Sequence, residues 1–299
     1  MASALLEQDA VFRSSMLELD QLAAGKCGRS VVEYLYDPDR DFADRCDDLV
    51  LTNLGIVMVE CSLARLLDSR GIRPTLIVGS SLGELAAVAV ASCLAVREVL
   101  DFVCDFSNQI IRAMSPGGML AVLTSVERFR RAVRPNSDIA IASVNNNEHF
   151  VISADVASLA RARRAMTAQG IPYQVLPVNF AFHSCAVDVM ATQMRDMGMH
   201  LDVPDGCPPI YSSRTMSRLT SISGETCQQV IRGPIHFTET VASIPGYQRY
   251  RYVDLSPSSS LAAILRSSMS GLNCFNVITP FNAEMKNLAR LSPLESVPA

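Results

Sequence analysis

Hydrophobic residues in the first 115 positions follow two different patterns. Residues 1–71 show helical spacing, and Leu49 to Ser69 carries the longest apolar face. Val96 to Met114 repeats apolar residues at intervals of three and four, which predicts a helix with one buried face. Between them, the β-branched run that ends at Val78 is typical of a buried strand. Leu85 to Ala91 is apolar on every side, as in a fully buried helix.

After Pro116 the pattern changes to short strands that alternate with short helices. The predicted order, strand–helix–strand–strand–helix–strand, is that of a ferredoxin-like unit. We therefore predict a small subdomain at residues 118–180, inserted in a larger α/β domain that comprises residues 1–117 and 181–285. Residues 286–299 are expected to form a tail. The elements predicted within the insert are Met119–Leu123, Val126–Val133, Ile139–Val144, Phe150–Ser153, Val156–Gln169 and Tyr173–Val178.

The remaining third of the chain predicts further α/β structure. An amphipathic helix is expected after Ser184, up to about Met197, and a later helix is interrupted at Gly233-Pro234. The other predicted elements are a strand at Pro208–Ser212, a strand at Tyr252–Leu255 and a helix at Leu261–Ser268.

The junction between the buried strand and the buried helix carries a Gly-x-Ser-x-Gly motif. Gly79 and Gly83 flank Ser81 there. In a strand–turn–helix of this kind, the glycines relieve crowding in a sharp turn and the serine oxygen projects from its tip. The new helix also directs free N–H groups at any oxyanion that forms. The motif is short enough to occur by chance in a loop, but the flanking strand and helix favour a nucleophile elbow.

A serine nucleophile needs a base, and histidine is the usual one. The chain has four histidines: His149, His183, His200 and His236. The first and third are expected at the surface or at caps, and the last is expected to be half-buried. His183 differs from them because it lies between a strand end and a helix start, beside Phe180 and Phe182, whose rings could wall an acyl site. A hydrogen-bonded core histidine is the alternative for this position.

Composition excludes several other classes of function. The chain has 299 residues, a net charge of −4 and 49% hydrophobic residues, so no general attraction to nucleic acid is expected. The acidic N-terminus lacks a signal-peptide pattern, and no apolar run is expected to reach the ~18 residues that a membrane span needs. Nine cysteines without a Cys-x-x-Cys pair are expected to be reduced and buried in a cytoplasmic protein. The spacing of histidine, cysteine and acidic residues in the sequence predicts no metal-ligand cluster, and no cofactor is expected.

Four segments together resemble malonyl-CoA:acyl-carrier-protein transacylases and the acyltransferase domains of polyketide synthases. They are Gly79–Glu84, residues 118–180, Ala181–Ser184 and Asp254–Pro257, in matching order and spacing over essentially the whole chain. The resemblance implies an α/β acyltransferase fold, in which a ferredoxin-like small subdomain is inserted in a large α/β hydrolase-like subdomain.

The same resemblance implies a Ser–His dyad. Ser81 would form an acyl ester, and His183 would act first as general base and then as general acid. A backbone carbonyl near Val230 would orient His183. The oxyanion hole would use the Leu82 N–H and one further N–H. Substrate contacts are expected from Ser80, Phe106, Asn145, Phe180 and Phe182.

Three departures from the family bear on substrate and activity. Malonyl-loading members have an arginine 25 residues after the serine, where this chain has Phe106, and Arg97 and Arg112 lie off that helical face. A buried carboxylate without its guanidinium partner would be strongly disfavoured, so the pocket predicts non-carboxylated acyl chains. Phe106 also fits the core stripe of its helix. Ser80 stands where malonyl-loading members have histidine.

The third departure concerns the N-terminus. Met1 matches the family about ten residues beyond a Gly-Gln-Gly turn whose glutamine supplies the second oxyanion donor. Either an in-frame segment precedes Met1 in the gene, or the oxyanion hole is incomplete.

Three functional hypotheses follow. The first, best matched to relatives without the arginine, is a discrete acyl hydrolase of trans-acyltransferase polyketide pathways. Its partner would be an acyl carrier protein with a phosphopantetheine-bound acyl chain, and a monomer is expected. The second is a transferase that moves a non-carboxylated acyl unit between CoA or carrier proteins. The third is an inactive docking subunit. An α/β-hydrolase is disfavoured because its histidine would follow an acid late in the chain.

Overall fold

Four helices form the N-terminal layer of the protein. The computed structural model describes residues 1–39, 47–134, 138–197, 200–279 and 281–291. The Asp9 carboxylate caps the second helix by accepting the N–H groups of Val11 and Phe12, and Asp48 caps the fourth. The helices are α1 (Ser3–Gln8), α2 (Ala10–Cys27), α3 (Val31–Leu35) and α4 (Leu49–Ser69).

The expectation that no apolar run is long enough for a membrane span did not take α4 into account. By length and composition this helix is long and apolar enough to cross one, and more than half of its most apolar window is buried inside the protein. It packs against α2, and its fully buried side chains include Leu54, Val57 and Leu63. A core helix buried on several faces has the same composition as a membrane span.

The predicted strand–turn–helix follows α4. It consists of β1 (Ile77–Gly79) and α5 (Gly83–Val90), and the next helix is α6 (Val96–Ala113). The apolar stripe of α6 faces α4 and buries Val99, Phe102, Phe106 and Ile110, as its three-and-four spacing predicts.

The inserted unit has ferredoxin-like topology, which confirms that part of the fold prediction. Its elements are β2 (Gly117–Val122), α7 (Val126–Val133), β3 (Ala140–Asn146), β4 (His149–Asp155), α8 (Val156–Ala168) and β5 (Tyr173–Val175). The strands pair antiparallel in the order β3-β4-β2-β5. Both helices bury apolar side chains against one face of this sheet, around Phe129 and Phe150. The opposite face, with Met119 and Val151, packs with Val178 and Phe182.

The last third of the chain adds short strands and helices. A 3₁₀ helix at Cys185–Met190 and α9 (Ala191–Asp196) replace the single helix predicted there. The other elements are β6 (His200–Asp202), β7 (Ile210–Ser212), β8 (Ser217–Arg218), β9 (Ser221–Ser223), α10 (Gly224–Arg232), α11 (Phe237–Ser243), β10 (Arg251–Asp254), α12 (Ser260–Ser268), β11 (Asn273–Asn276) and α13 (Glu284–Ala289).

Two details of the prediction are corrected in this region. Residues 286–289 belong to α13, where Leu288 is buried, so the tail prediction is wrong for them; residues 292–299 lie outside the described residues. Exposed Cys185 contradicts the expectation that all cysteines are buried. The eight described cysteines are free, and Cys46 lies outside the described part.

Strand pairing brings the elbow next to the end of β7. β1 pairs parallel with β7, and the Ser213 N–H continues the ladder by donating to the Gly79 carbonyl at 3.1 Å. The His236 N–H donates to the Ser213 carbonyl at 2.7 Å, and the Ile235 N–H donates to Ala142 of β3 at 2.7 Å. The turn between α10 and α11 is thus bonded both to the end of β7 and to the small subdomain.

Candidate active site

Ser81 lies at the tip of a strained turn. Its φ of +54° is in the left-handed region, which non-glycine residues seldom adopt, and α5 begins two residues later. A Cβ on Gly79 would lie 2.7 Å from Glu84 Cα, so only glycine fits there. At Gly83 the nearest atom to such a Cβ would be Glu60 Oε2, at 3.7 Å. Of the two glycines in the motif, Gly79 is the one that the close approach of strand and helix requires.

The structure brings Ser81 and His183 into hydrogen-bond contact. Ser81 Oγ lies 2.9 Å from His183 Nε2. On the other side of the ring, Nδ1 lies 2.8 Å from the Gly233 carbonyl. The main-chain N–H of His183 donates to the Ile231 carbonyl at 2.7 Å. Because Nδ1–H must donate to that carbonyl, Nε2 is left as the acceptor for the serine hydroxyl. The carbonyl that orients His183 was predicted near Val230. The carbonyl bonded to Nδ1 is that of Gly233, three residues further along the chain.

Burial lowers the pKa of His183 to about 4. The carbonyls of Gly233 and Val230 oppose this shift, and the positive charge of Arg214 adds to it. The imidazole ring, almost fully enclosed, is therefore neutral at pH 7, which is the form that can accept a proton from serine.

The Leu82 N–H is placed for oxyanion binding. Leu82 precedes the first residue of α5, and no protein acceptor for its N–H is found within the described residues. A free N–H beside the nucleophile, at the positive end of a helix, can stabilise developing negative charge. A second donor is not identified in the part of the chain that the structure describes.

Arg214 and Gly233 support the histidine, and neither was found from the sequence. Arg214 Nε donates to the Gln229 carbonyl at 3.2 Å, and its side chain lies so close to Gly233 that a Cβ there would overlap it. The Gly233 N–H donates to the same Gln229 carbonyl at 2.9 Å. The arginine thus packs against the turn whose carbonyl orients His183. A glycine before a proline in a helix break was visible in the sequence, but its partner was not.

Glu84 carries a buried carboxyl group near the start of α5, and it accepts hydrogen bonds from the segment that follows β7. Its Oε1 lies 3.3 Å from the Arg214 N–H and 3.4 Å from Ser213 Oγ. Burial raises its pKa to about 7, and these hydrogen bonds act in the opposite direction. Glu84 therefore ties the start of α5 to the end of β7 and holds the elbow against the sheet.

The Ser81–His183 pair opens into a cavity of about 270 Å³ that is mostly apolar. Phe106 and Phe102 of α6 form one wall, with parallel rings 6.2 Å apart. Phe182 and Met119 form another, and α10 contributes Val230. Within the described residues, no lysine or arginine lines this cavity. Arg97 and Arg112 are exposed on α6, as their offset from Phe106 predicts.

Of the expected substrate contacts, Phe106 and Phe182 line the cavity, whereas Ser80, Phe180 and Asn145 do not. The Ser80 carbonyl accepts the Gly83 N–H at 2.9 Å and so forms part of the turn. Phe180 packs against Phe182, with ring centres 6.0 Å apart.

Asn145 requires the larger correction. Its side-chain Nδ2 lies 3.4 Å from His149 Nδ1, and its main-chain carbonyl accepts a hydrogen bond from the Ser268 hydroxyl at 2.8 Å. It lines a separate cleft with Glu148 and Thr238. No group of three or more metal-ligating side chains is found among the described residues.

Comparisons with known proteins indicate one family. The family model of the acyl transferase domain matches residues 1–289. The polyketide biosynthesis acyltransferase homolog PksD of Bacillus subtilis is 32% identical over 291 residues, which cover 96% of this chain and 90% of that protein. The homolog BaeD of Bacillus velezensis is 31% identical and covers 97% of this chain and 91% of its own length.

Among solved structures, the loading acyltransferase of the avermectin modular polyketide synthase superposes with a TM-score of 0.84 at 21% identity. The superposition covers 97% of this chain and 94% of the avermectin acyltransferase chain. MCAT from Streptococcus pneumoniae gives a TM-score of 0.76 at 18% identity, with 97% and 95% covered. These two likenesses concern the fold, which is the predicted α/β acyltransferase fold. From the family match and the two Bacillus relatives, the chain belongs to the acyl transferase domain family.

Proposed function

We propose that this protein is a serine acyl hydrolase that releases non-carboxylated acyl groups from acyl-carrier-protein thioesters in polyketide biosynthesis. One observation carries the proposal: the Ser81–His183 pair opens into an apolar cavity that no arginine or lysine of the described residues lines. The serine can accept an acyl group there, and the cavity offers a free carboxylate no cationic partner.

Acylation uses the groups of the site in a fixed order. His183 Nε2 takes the hydroxyl proton while Ser81 Oγ bonds to the thioester carbon, and the Leu82 N–H stabilises the resulting oxyanion. The C–S bond then breaks, and His183 returns the proton to the leaving thiol. The products are an acyl ester on Ser81 and the free thiol of the carrier.

Deacylation repeats these roles with water. His183 removes a proton from a water molecule as its oxygen bonds to the ester carbon, and the bond to Ser81 Oγ breaks. The proton returns to Ser81, and the carboxylic acid leaves. A neutral imidazole with a lowered pKa, as His183 has, serves both steps.

The carrier protein and the pathway come from relatives. PksD and BaeD are described as polyketide biosynthesis acyltransferase homologs, and they match almost the whole of this chain. We therefore place the enzyme in polyketide assembly, with acyl groups delivered as thioesters of a carrier. A monomeric state and a cytoplasmic location stay predictions.

Acyl transfer is the alternative, and the family description favours it. It uses the same residues, but a carrier or CoA thiol replaces water in the second step. Two results distinguish the proposals. Free acid that forms at a rate nearly independent of added acceptor carrier supports the hydrolase. Acyl groups that accumulate on the acceptor with little free acid support the transferase.

The site itself is tested by trapping the covalent intermediate. The protein is incubated with an acetyl or propionyl carrier thioester, and mass spectrometry of its peptides locates the adduct. We expect the acyl group on the peptide that contains Ser81, and none in Ser81→Ala. An adduct on a cysteine instead would reject the Ser–His assignment.

A further inference from the structure

One polar side chain in the cavity, apart from the Ser81–His183 pair, has an incomplete set of hydrogen bonds. Asn53 lines the cavity from α4, and its amide Nδ2 donates to Ser107 Oγ of α6 at 3.0 Å. Ser107 is fully buried, so this bond holds the amide in place. Within the described residues no donor to Asn53 Oδ1 is found, which leaves this acceptor available to a bound molecule.

The other polar side chains of the cavity wall already have partners. The Thr226 hydroxyl lies 3.0 Å from Ser223 Oγ, at the start of α10. Glu84 accepts from Ser213 and from the Arg214 N–H. These groups are bonded within the fold, whereas Asn53 presents an unused acceptor in a mostly apolar wall.

The spacing along α4 places Asn53 away from the elbow. Ile56 and Glu60 share its face of α4, and Glu60 Oε2 lies 3.7 Å from the position of a Cβ on Gly83, close to the nucleophile. Seven residues separate Glu60 from Asn53, which is about 10 Å along a helix axis. Ser81, Phe106 and Asn53 line the same cavity, so an acyl chain on Ser81 that fills it would contact both of the other side chains.

We propose that Asn53 determines specificity for acyl chains that carry a hydroxyl group several carbons from the thioester. The inference rests on the proposed function, because it needs an acyl chain in this cavity. A hydroxyl can donate to Asn53 Oδ1, whereas a carboxylate, which only accepts, gains nothing from that atom. A plain chain that covers this amide oxygen would leave it unpaired, and sites built around such a group discriminate against substrates that lack the partner.

The test compares octanoyl pantetheine thioester with its 3-hydroxy, 5-hydroxy and 7-hydroxy derivatives, which are isomers of one another. We expect one isomer to acylate Ser81 with a kcat/KM about 5- to 10-fold above that of the plain chain, as one net hydrogen bond gives. In Asn53→Leu this ratio should fall to about one, with the plain chain still accepted. Ser107→Ala, which keeps Asn53 but removes its anchor, should lower the ratio partway. The control Asn108→Leu removes an asparagine of α6 that does not line the cavity and whose amide donates to the Cys104 carbonyl, and it should leave the ratio unchanged.

Three results would overturn the inference. They are the absence of a preferred isomer in the wild type, a preference that persists in Asn53→Leu, and an equal slowing of plain and hydroxylated chains in Asn53→Leu, which indicates a structural role. If Asn53→Leu does not fold, the ratio in Ser107→Ala decides instead.

A binding measurement separates this inference from the proposed function. The Kd values of the same thioesters for the Ser81→Ala variant report the cavity without turnover. A hydroxyl preference in binding, with no acyl-enzyme formed by the wild type, supports Asn53 and rejects the hydrolase. Acylation without any hydroxyl preference rejects the role of Asn53 and leaves the hydrolase standing.

Discussion

The geometry around the Ser81–His183 pair and the geometry of the cavity wall on α4 and α6 are fixed by different parts of the chain. Around the pair the backbone fixes the geometry: Ser81 and His183 both have left-handed φ angles, and a main-chain carbonyl orients the imidazole ring. On α4 and α6, side chains form the wall, with Phe102 stacked on Phe106 and Asn53 bonded to Ser107. We infer that substitutions around the pair affect the rate of reaction, whereas substitutions in the wall affect the choice of substrate.

The largest effect is expected at the nucleophile. Ser81→Ala removes the attacking oxygen, and His183→Ala removes its base, so each should lower kcat/KM for thioester cleavage by at least about 10³-fold. Steady-state thiol release measures this. Ser80→Ala is the neighbouring control, because its side chain does not line the cavity, and it should stay within about threefold of wild type. Comparable losses in Ser80→Ala and Ser81→Ala would reject the assignment of the nucleophile.

The glycines of the elbow give a second prediction, on stability. A methyl group at Gly79 would meet the Glu84 backbone, so Gly79→Ala should cost about 1–3 kcal/mol in the free energy of unfolding. At Gly83 the nearest atom to such a methyl group, Glu60 Oε2, is at an ordinary van der Waals distance of 3.7 Å, so Gly83→Ala should be nearly neutral. Urea unfolding of both variants measures the difference. Equal stability would show that the strand and helix do not approach as closely as the geometry of Gly79 requires.

A smaller effect is expected for the choice of substrate. The wild type should prefer acetyl or propionyl thioesters to malonyl by at least about 10-fold, roughly 1.4 kcal/mol in transition-state binding. Phe106→Arg should move that ratio toward malonyl because a guanidinium can pair with the carboxylate. Phe106→Leu keeps the wall apolar and should retain the wild-type ratio. Values of kcat/KM on one carrier test this, and equal use of both thioesters by the wild type would contradict it.

The smallest effect concerns pH. With its pKa lowered to about 4, His183 stays neutral as the pH falls from 8 to 5, so acylation should be nearly constant there and decline only near pH 4. Arg214→Gln removes a positive charge that disfavours protonation of the ring. The pKa of His183 should therefore rise, and activity should be lost at a higher pH than in the wild type. The exposed Arg218→Gln is the control. Superimposable pH profiles for Arg214→Gln and wild type would exclude this influence.

The contrast between the two regions also explains what the sequence could predict. The elbow and the ferredoxin-like unit follow from local patterns: glycines around a serine, and strands and helices with clear periods. β6, β8, β9 and β11 were missed because each has four residues or fewer and lacks an apolar alternation. Short polar strands of this kind depend on pairing with distant segments.

The roles of individual side chains in the site were harder to predict. The partnership of Arg214 with Gly233 joins the end of β7 to the turn after α10, and no spacing in the sequence reveals it. Asn145 was expected at the substrate, but its amide bonds to His149 and lies at another cleft. Asn53 passed unnoticed because a single asparagine on a core helix has no motif. Such positions are set by tertiary packing.

The most direct test of the hydrolase uses isotopically labelled water. The wild-type protein is mixed with a propionyl carrier thioester in H₂¹⁸O, with an excess of unloaded acceptor carrier, and the products are analysed by mass spectrometry. We predict that most of the propionyl group appears as free acid with one ¹⁸O atom, and that Ser81→Ala releases none above background. Transfer of the propionyl group to the acceptor thiol, with little labelled acid, would contradict hydrolysis and identify the protein as a transferase.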